Sequence, residues 1–116
     1  MSSLLDKILE LEWQLAALRA EAEKTEKEAQ KYASVLEIER QLKKFADEHN
    51  DVIDWTNISQ EKYYLCYSYS NYEVSIFNRY WTKEPRTVYF SSEKIAKQAI
   101  NTIGTDKIKE YLTYEW

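Results

Sequence analysis

The segment KYYLCYSYSNYEVSIFNRYW, residues 62–81, decides the fold. Eight of its twenty residues are aromatic, and it holds no His, Asp, Gly or Pro. Two strand-length alternating runs flank Ser70 and Asn71, the pattern of an antiparallel hairpin. Alternation sets Tyr63, Leu65, Tyr67 and Tyr69 on one face of the first strand, with Tyr72, Val74 and Ile76 beside them on the second. These rings and aliphatics are predicted to face a core, because a small sheet needs large side chains to fill one. Tyr64, Phe77, Arg79 and Trp81 fall on the outward face.

Working outward from the hairpin, Lys83, Glu84 and Pro85 form a turn signal. Residues 86–90 read as a third strand, with Val88 and Phe90 coreward and Tyr89 outward. Ser91, Ser92 and Glu93 carry a helix N-cap with a carboxylate in the first turn. Ile95, Ala99 and Ile103 then make an apolar stripe, and Gly104 suits a helix end. Thr105 and Asp106 open a last helix bearing Ile108, Tyr111 and Leu112. The expected fold is α+β: a long N-terminal coiled-coil helix (residues 1–49), then a small β-β-β-α-α domain (residues 50–116). Its three-stranded antiparallel sheet is expected to be a meander with helices on one face.

The helix is read from Leu4, Ile8, Leu11, Leu15 and Leu18, which recur at heptad spacing and weaken to Ala22, Thr25, Ala29 and Tyr32. After Tyr32 the seam slips. Val35, Ile38, Leu42 and Phe45 continue it, while Leu36 and Glu39 leave it. Such a slip overwinds a coiled coil locally or marks where one packing partner is exchanged for another. About 45 residues without a breaker would span about 65–70 Å. A lone helix of that length cannot bury its own stripe, so Leu4, Ile8, Leu11, Leu15 and Leu18 are expected to mediate homo-oligomerisation. Trp13 lies beside that seam with Leu5 and Leu9, either on a helix that frays near its start, in the wider seam of a trimer or tetramer, or as a partner-binding anchor. Asn50 is expected to terminate the helix in the left-handed conformation.

Composition narrows the function classes. The 116 residues carry a net charge of −4, about −3 in residues 1–50 and −1 in the remainder. An acidic chain is a poor match for duplex nucleic acid. The N-terminus has charges inside its apolar run and no basic leader, so neither a signal peptide nor a membrane span is expected. One Cys rules out an internal disulfide, and the cytoplasm is the expected compartment. Asp47, Glu48, His49, Asp51 and Asp54 lack a metal-ligand spacing such as the EF-hand's. With one His, one Cys and no Gly-rich phosphate loop, no catalytic, cofactor or metal site is expected. Outward Tyr64, Phe77, Arg79, Trp81 and Tyr89, with Arg86 nearby, combine aromatic rings with Arg as protein hot spots do. Single-stranded nucleic acid also stacks on such surfaces, and the acidic balance favours a protein partner over it.

Residues 43–112 resemble a family of small phage and prophage proteins of Gram-positive bacteria that join a coiled coil to a compact domain. The resemblance is carried by DEHN at 47–50, Trp55 and Asn57, KYY at 62–64, VYFSS at 88–92 and the Ile103–Gly104…Ile108…Tyr111–Leu112 end. Residues 1–42 match only as generic coiled coil. Some small phage proteins of this kind inhibit host defence, among them anti-CRISPR proteins acting on Cas9-type nucleases. The resemblance therefore implies a non-enzymatic, protein-binding inhibitor working in the bacterial cytoplasm, and it transfers no individual site residue. The other classes are a phage structural or assembly protein oligomerised by its coiled coil, and a single-stranded nucleic-acid-binding module.

Overall fold

A computed structural model describes residues 3–79 and 82–116. The fold is α+β: one long helix, then a three-stranded antiparallel sheet and two helices. Helix α1 runs Leu4–His49 without interruption. Its start is capped reciprocally: Ser3 Oγ accepts from the Asp6 N–H (3.2 Å) and Asp6 Oδ2 accepts from the Ser3 N–H (3.4 Å).

By packing, the chain divides into Met1–Ser34 and Val35–Trp116. By element, the division at 49 and 50 separates helix from sheet. The two differ because the end of α1 belongs to the compact core. Val35, Ile38, Leu42, Phe45 and Ala46 are buried, so the seam slip after Tyr32 marks where intramolecular packing begins. Glu39 is a correction. It was expected outside the seam, yet it is buried, with Oε1 accepting from Lys43 Nζ (2.8 Å) and Oε2 3.7 Å from the Arg86 guanidinium.

Within the compact unit, β1 (Lys62–Ser68) pairs antiparallel with β2 (Glu73–Arg79) on one side and with β3 (Tyr89–Phe90) on the other. Leu65 stands opposite Ile76, Tyr67 opposite Val74, and Tyr63 opposite Phe90. The strand order β2-β1-β3 is not the expected meander. With both neighbours antiparallel to β1, β2 and β3 run the same way, so the connection between them passes from one edge of the sheet to the other.

The third strand is shorter than expected because Pro85 and Arg86 occupy a turn closed by the Thr87 N–H on the Glu84 carbonyl (3.4 Å). Arg86 has φ +62°, the left-handed position that a type II turn needs after Pro. The hairpin loop is likewise longer than two residues: Ser68 pairs with Glu73, leaving residues 69–72 as the connection. Tyr69 and Tyr72, expected in the core, are exposed there, and Tyr72 has φ +56°.

Helices α2 (Glu93–Ile103) and α3 (Thr105–Thr113) close the core. Ser92 Oγ accepts from the Ile95 N–H (3.1 Å), the N-cap read from the sequence. Ala96 and Ala99 are the deepest residues of α2, with Ile95 and Ile103 packed at the rim. Ile108 and Tyr111 of α3 join Leu65, Phe90 and the end of α1 in one hydrophobic cluster.

Asn50 does not turn left-handed; among described residues other than Gly, positive φ occurs at Tyr72 and Arg86. Its side chain does the work instead. Nδ2 donates to the Tyr89 carbonyl (2.9 Å), and Oδ1 accepts from the Ser91 N–H (3.0 Å). Ser91 Oγ in turn accepts from the Asp51 N–H (2.9 Å). The end of α1 is thus clasped to β3 by an amide that satisfies backbone groups the short strand leaves unpaired.

Candidate partner-binding surfaces

The outward face of the sheet gathers part of the expected site. Tyr64 lies across from Phe77 on β2 and Tyr89 on β3, with ring centroids 6.2 and 5.9 Å away. The Arg79 guanidinium sits 5.2 Å from the Tyr64 ring and 2.7 Å from Glu84 Oε1. A hydrogen bond to Tyr64 and the Glu84 carboxylate hold its pKa above the ordinary arginine value. Phe77 is half exposed, while Tyr64 and Arg79 are partly covered.

Tyr89 is a correction: it points outward by register but is only 6 % exposed. The crossing connection covers it. Tyr89 Oη accepts from the Glu84 N–H (2.8 Å), and Trp55 packs edge-on at 4.7 Å. Lys62 is buried in the same place, donating from Nζ to the Asn57 carbonyl (2.6 Å) beneath the Trp55 ring at 5.4 Å. A second, smaller core thus lies on the sheet face expected to meet solvent. Trp55 and Lys62 were not singled out from the sequence as its builders, since a lysine on an alternating strand gives no sign of a lid.

Arg86 is engaged elsewhere. Its guanidinium lies 3.8 Å from the Trp116 ring, and its carbonyl accepts from Tyr111 Oη (2.7 Å). Burial, then the nearby Glu39 carboxylate, pushes the Tyr111 hydroxyl up to about 12, against the opposing pull of Arg86. A cavity of about 150 Å³ lies against these groups, walled by Leu42, Leu65, Val88 and Phe90. Trp81 lies outside the described residues. The structure therefore assembles Tyr64, Phe77 and Arg79, covers Tyr89 with Glu84 and Trp55, and holds Arg86 against Trp116.

In the unit Met1–Ser34, the expected oligomerisation residues Leu4, Ile8, Leu11, Leu15 and Leu18 are all exposed. Leu5 and Leu9 are too, and Trp13 is 82 % exposed. Monomeric proteins rarely expose a run of large apolar side chains of this kind.

Chemically the groups are quiet. Burial raises the Cys66 pKa, which works against the thiolate a nucleophile needs. Asp54 Oδ1 accepts from the Thr56 N–H and hydroxyl (2.9 and 2.6 Å), which lowers its pKa within a local turn. His49 Nδ1 donates to the Phe45 carbonyl (2.9 Å), and its ring stacks on Phe45. Among the described residues no group of three or more His, Cys, Asp and Glu is placed to hold a metal ion. No described helix is long and apolar enough to cross a membrane.

Fold and surfaces define an α+β protein built on one long, apolar-flanked helix. No family model, curated protein or solved structure matches the chain.

Proposed function

We propose that this is a non-enzymatic, homo-oligomeric binding protein that acts by contact with another protein, and that its target is a host-defence nuclease of the Cas9 type. The observation that carries the binding reading is the exposed apolar run Leu4, Ile8, Leu11, Leu15 and Leu18, flanked by Trp13. A cytoplasmic protein that leaves such a surface uncovered has a partner for it. The seam residues serve self-association. Trp13, Tyr64, Phe77 and Arg79 are the contacts assigned to the target. The choice of target rests on the resemblance of residues 43–112 to small phage proteins, and the acidic charge suits competition for the basic channel that holds guide and target strands.

The test is a Cas9 cleavage assay with and without excess protein, joined to co-purification of the two. Inhibition that Trp13→Ala or Phe77→Ala weakens supports the reading. Undiminished cutting together with no co-purification overturns it for that nuclease.

A further inference from the structure

The apolar face of residues 4–29 has a pattern that selects both its occupant and the occupant's direction. With Ile8 at heptad position a, the seam reads Leu4, Ile8, Leu11, Leu15 and Leu18, then Ala22, Thr25 and Ala29: large residues followed by small ones. A parallel pair would set Ala22, Thr25 and Ala29 against themselves, leaving three of the eight seam layers underpacked. It would also place Glu21 beside the partner's Glu26 on both flanks. We propose that this segment pairs antiparallel with the same segment of a second copy, in the register that sets Leu15 against the partner's Leu18. It rests on the self-association proposed above and adds its direction and register.

In that register the successive layers are Leu15 with Leu18, Leu11 with Ala22, Ile8 with Thr25 and Leu4 with Ala29, so every small side chain meets a large one. A two-fold axis repeats each layer. On the flanks of an antiparallel pair, g meets g and e meets e. Lys7 then faces the partner's Glu28, and Glu12 faces the partner's Arg19. No like-charged residues face each other at these positions. Sliding one heptad toward the N-terminus sets Glu12 against the partner's Glu12. Sliding one heptad the other way sets Glu21 against Glu21 and Arg19 against Arg19. Charge therefore distinguishes this register from both neighbours, as e and g positions do in specifying orientation. Trp13, at position f, stays uncovered, so self-association and a target contact through Trp13 do not compete.

The experiment uses the full chain carrying Cys66→Ser, to remove the native thiol. Leu4→Cys and Ala29→Cys are introduced separately and equilibrated in a glutathione redox buffer, with one variant mass-tagged. Mixing the two is expected to give the mixed disulfide dimer, while each alone stays unlinked under denaturing, non-reducing conditions. Efficient linking of either variant with itself, or no linking in the mixture, overturns the register. Light scattering on the unmodified protein separates the levels: a monomer mass overturns the self-association itself. As a second reading, Glu12→Lys should weaken dimerisation by roughly 5-fold, and Glu12→Lys with Arg19→Glu should restore it. Failure of the double variant to restore it counts against the Glu12–Arg19 pairing and hence the register.

Discussion

The two halves of α1 carry the same kind of apolar spacing and meet opposite fates. From Leu4 to Leu18 every large apolar side chain is exposed, whereas Val35, Ile38, Leu42 and Phe45 are buried. Periodicity says that a helix has a face to bury, and the rest of the molecule says whether the chain supplies what buries it. In the second half Leu65, Phe90, Ala96 and Ile108 supply it.

The sharpest way to break this contrast is paired truncation. Leu42→Ala should cost about 2–5 kcal/mol of unfolding free energy, the range for an aliphatic core residue cut to Ala. Leu11→Ala should leave the urea midpoint of the monomeric protein unchanged and lower only self-association. An equal loss from both, at concentrations where the chain is monomeric, would erase the distinction.

At the end of the buried half, Asn50→Ala removes both clasp bonds to β3 and should cost about 1–3 kcal/mol. The near-isosteric Asn50→Asp should be no better, because a carboxylate oxygen then faces the Tyr89 carbonyl. Thermal melts of both variants measure this.

Tyr111→Phe gives a smaller, pH-dependent effect. It loses the bond to the Arg86 carbonyl, about 1 kcal/mol near neutral pH. The Tyr111 pKa is raised from 10.0 to about 12, so the folded state keeps its proton longer than the unfolded state. The stability this provides is fully present below pH 10 and is lost as pH rises toward 12. The gap between wild type and Tyr111→Phe should therefore narrow over that window, as urea titrations at successive pH values would measure.

The smallest effect belongs to Glu37, on the exposed side of the same buried segment. Its bidentate bond from Arg40 holds its pKa down to about 2. Its contribution is present above pH 4.5 and fades as pH falls toward 2. NMR titration should find its midpoint below the usual carboxylate range, and Glu37→Gln should lower the neutral-pH melting temperature only slightly, as expected for a solvent-exposed pair.

Local rules made the elements legible. Alternation located the hairpin, Ser92 announced α2, and the slip after Tyr32 located the start of the core. What they did not reach was pairing across distance. Nothing local says that Phe90 stands opposite Tyr63 rather than a residue of β2, so the third strand was expected on the wrong edge. That single error also misplaced Tyr89, because Glu84 on the connection between β2 and β3, together with Trp55, is what covers it. Tyr69 and Tyr72 failed for a nearer reason: a four-residue loop removes both from the ladder that alternation assumes. Of the candidate site, Tyr64, Phe77, Arg79 and Trp13 were legible as outward residues, while the lid formed by Trp55 was not.

Lys62 gives that lid a chemical consequence. All eleven other lysines are exposed and open to an amine-reactive acylating reagent, whereas Lys62 is fully covered. Its acylation rate should follow the opening of the segment around Trp55 rather than the reactivity of an amine, making one peptide in a digest a clock for that motion.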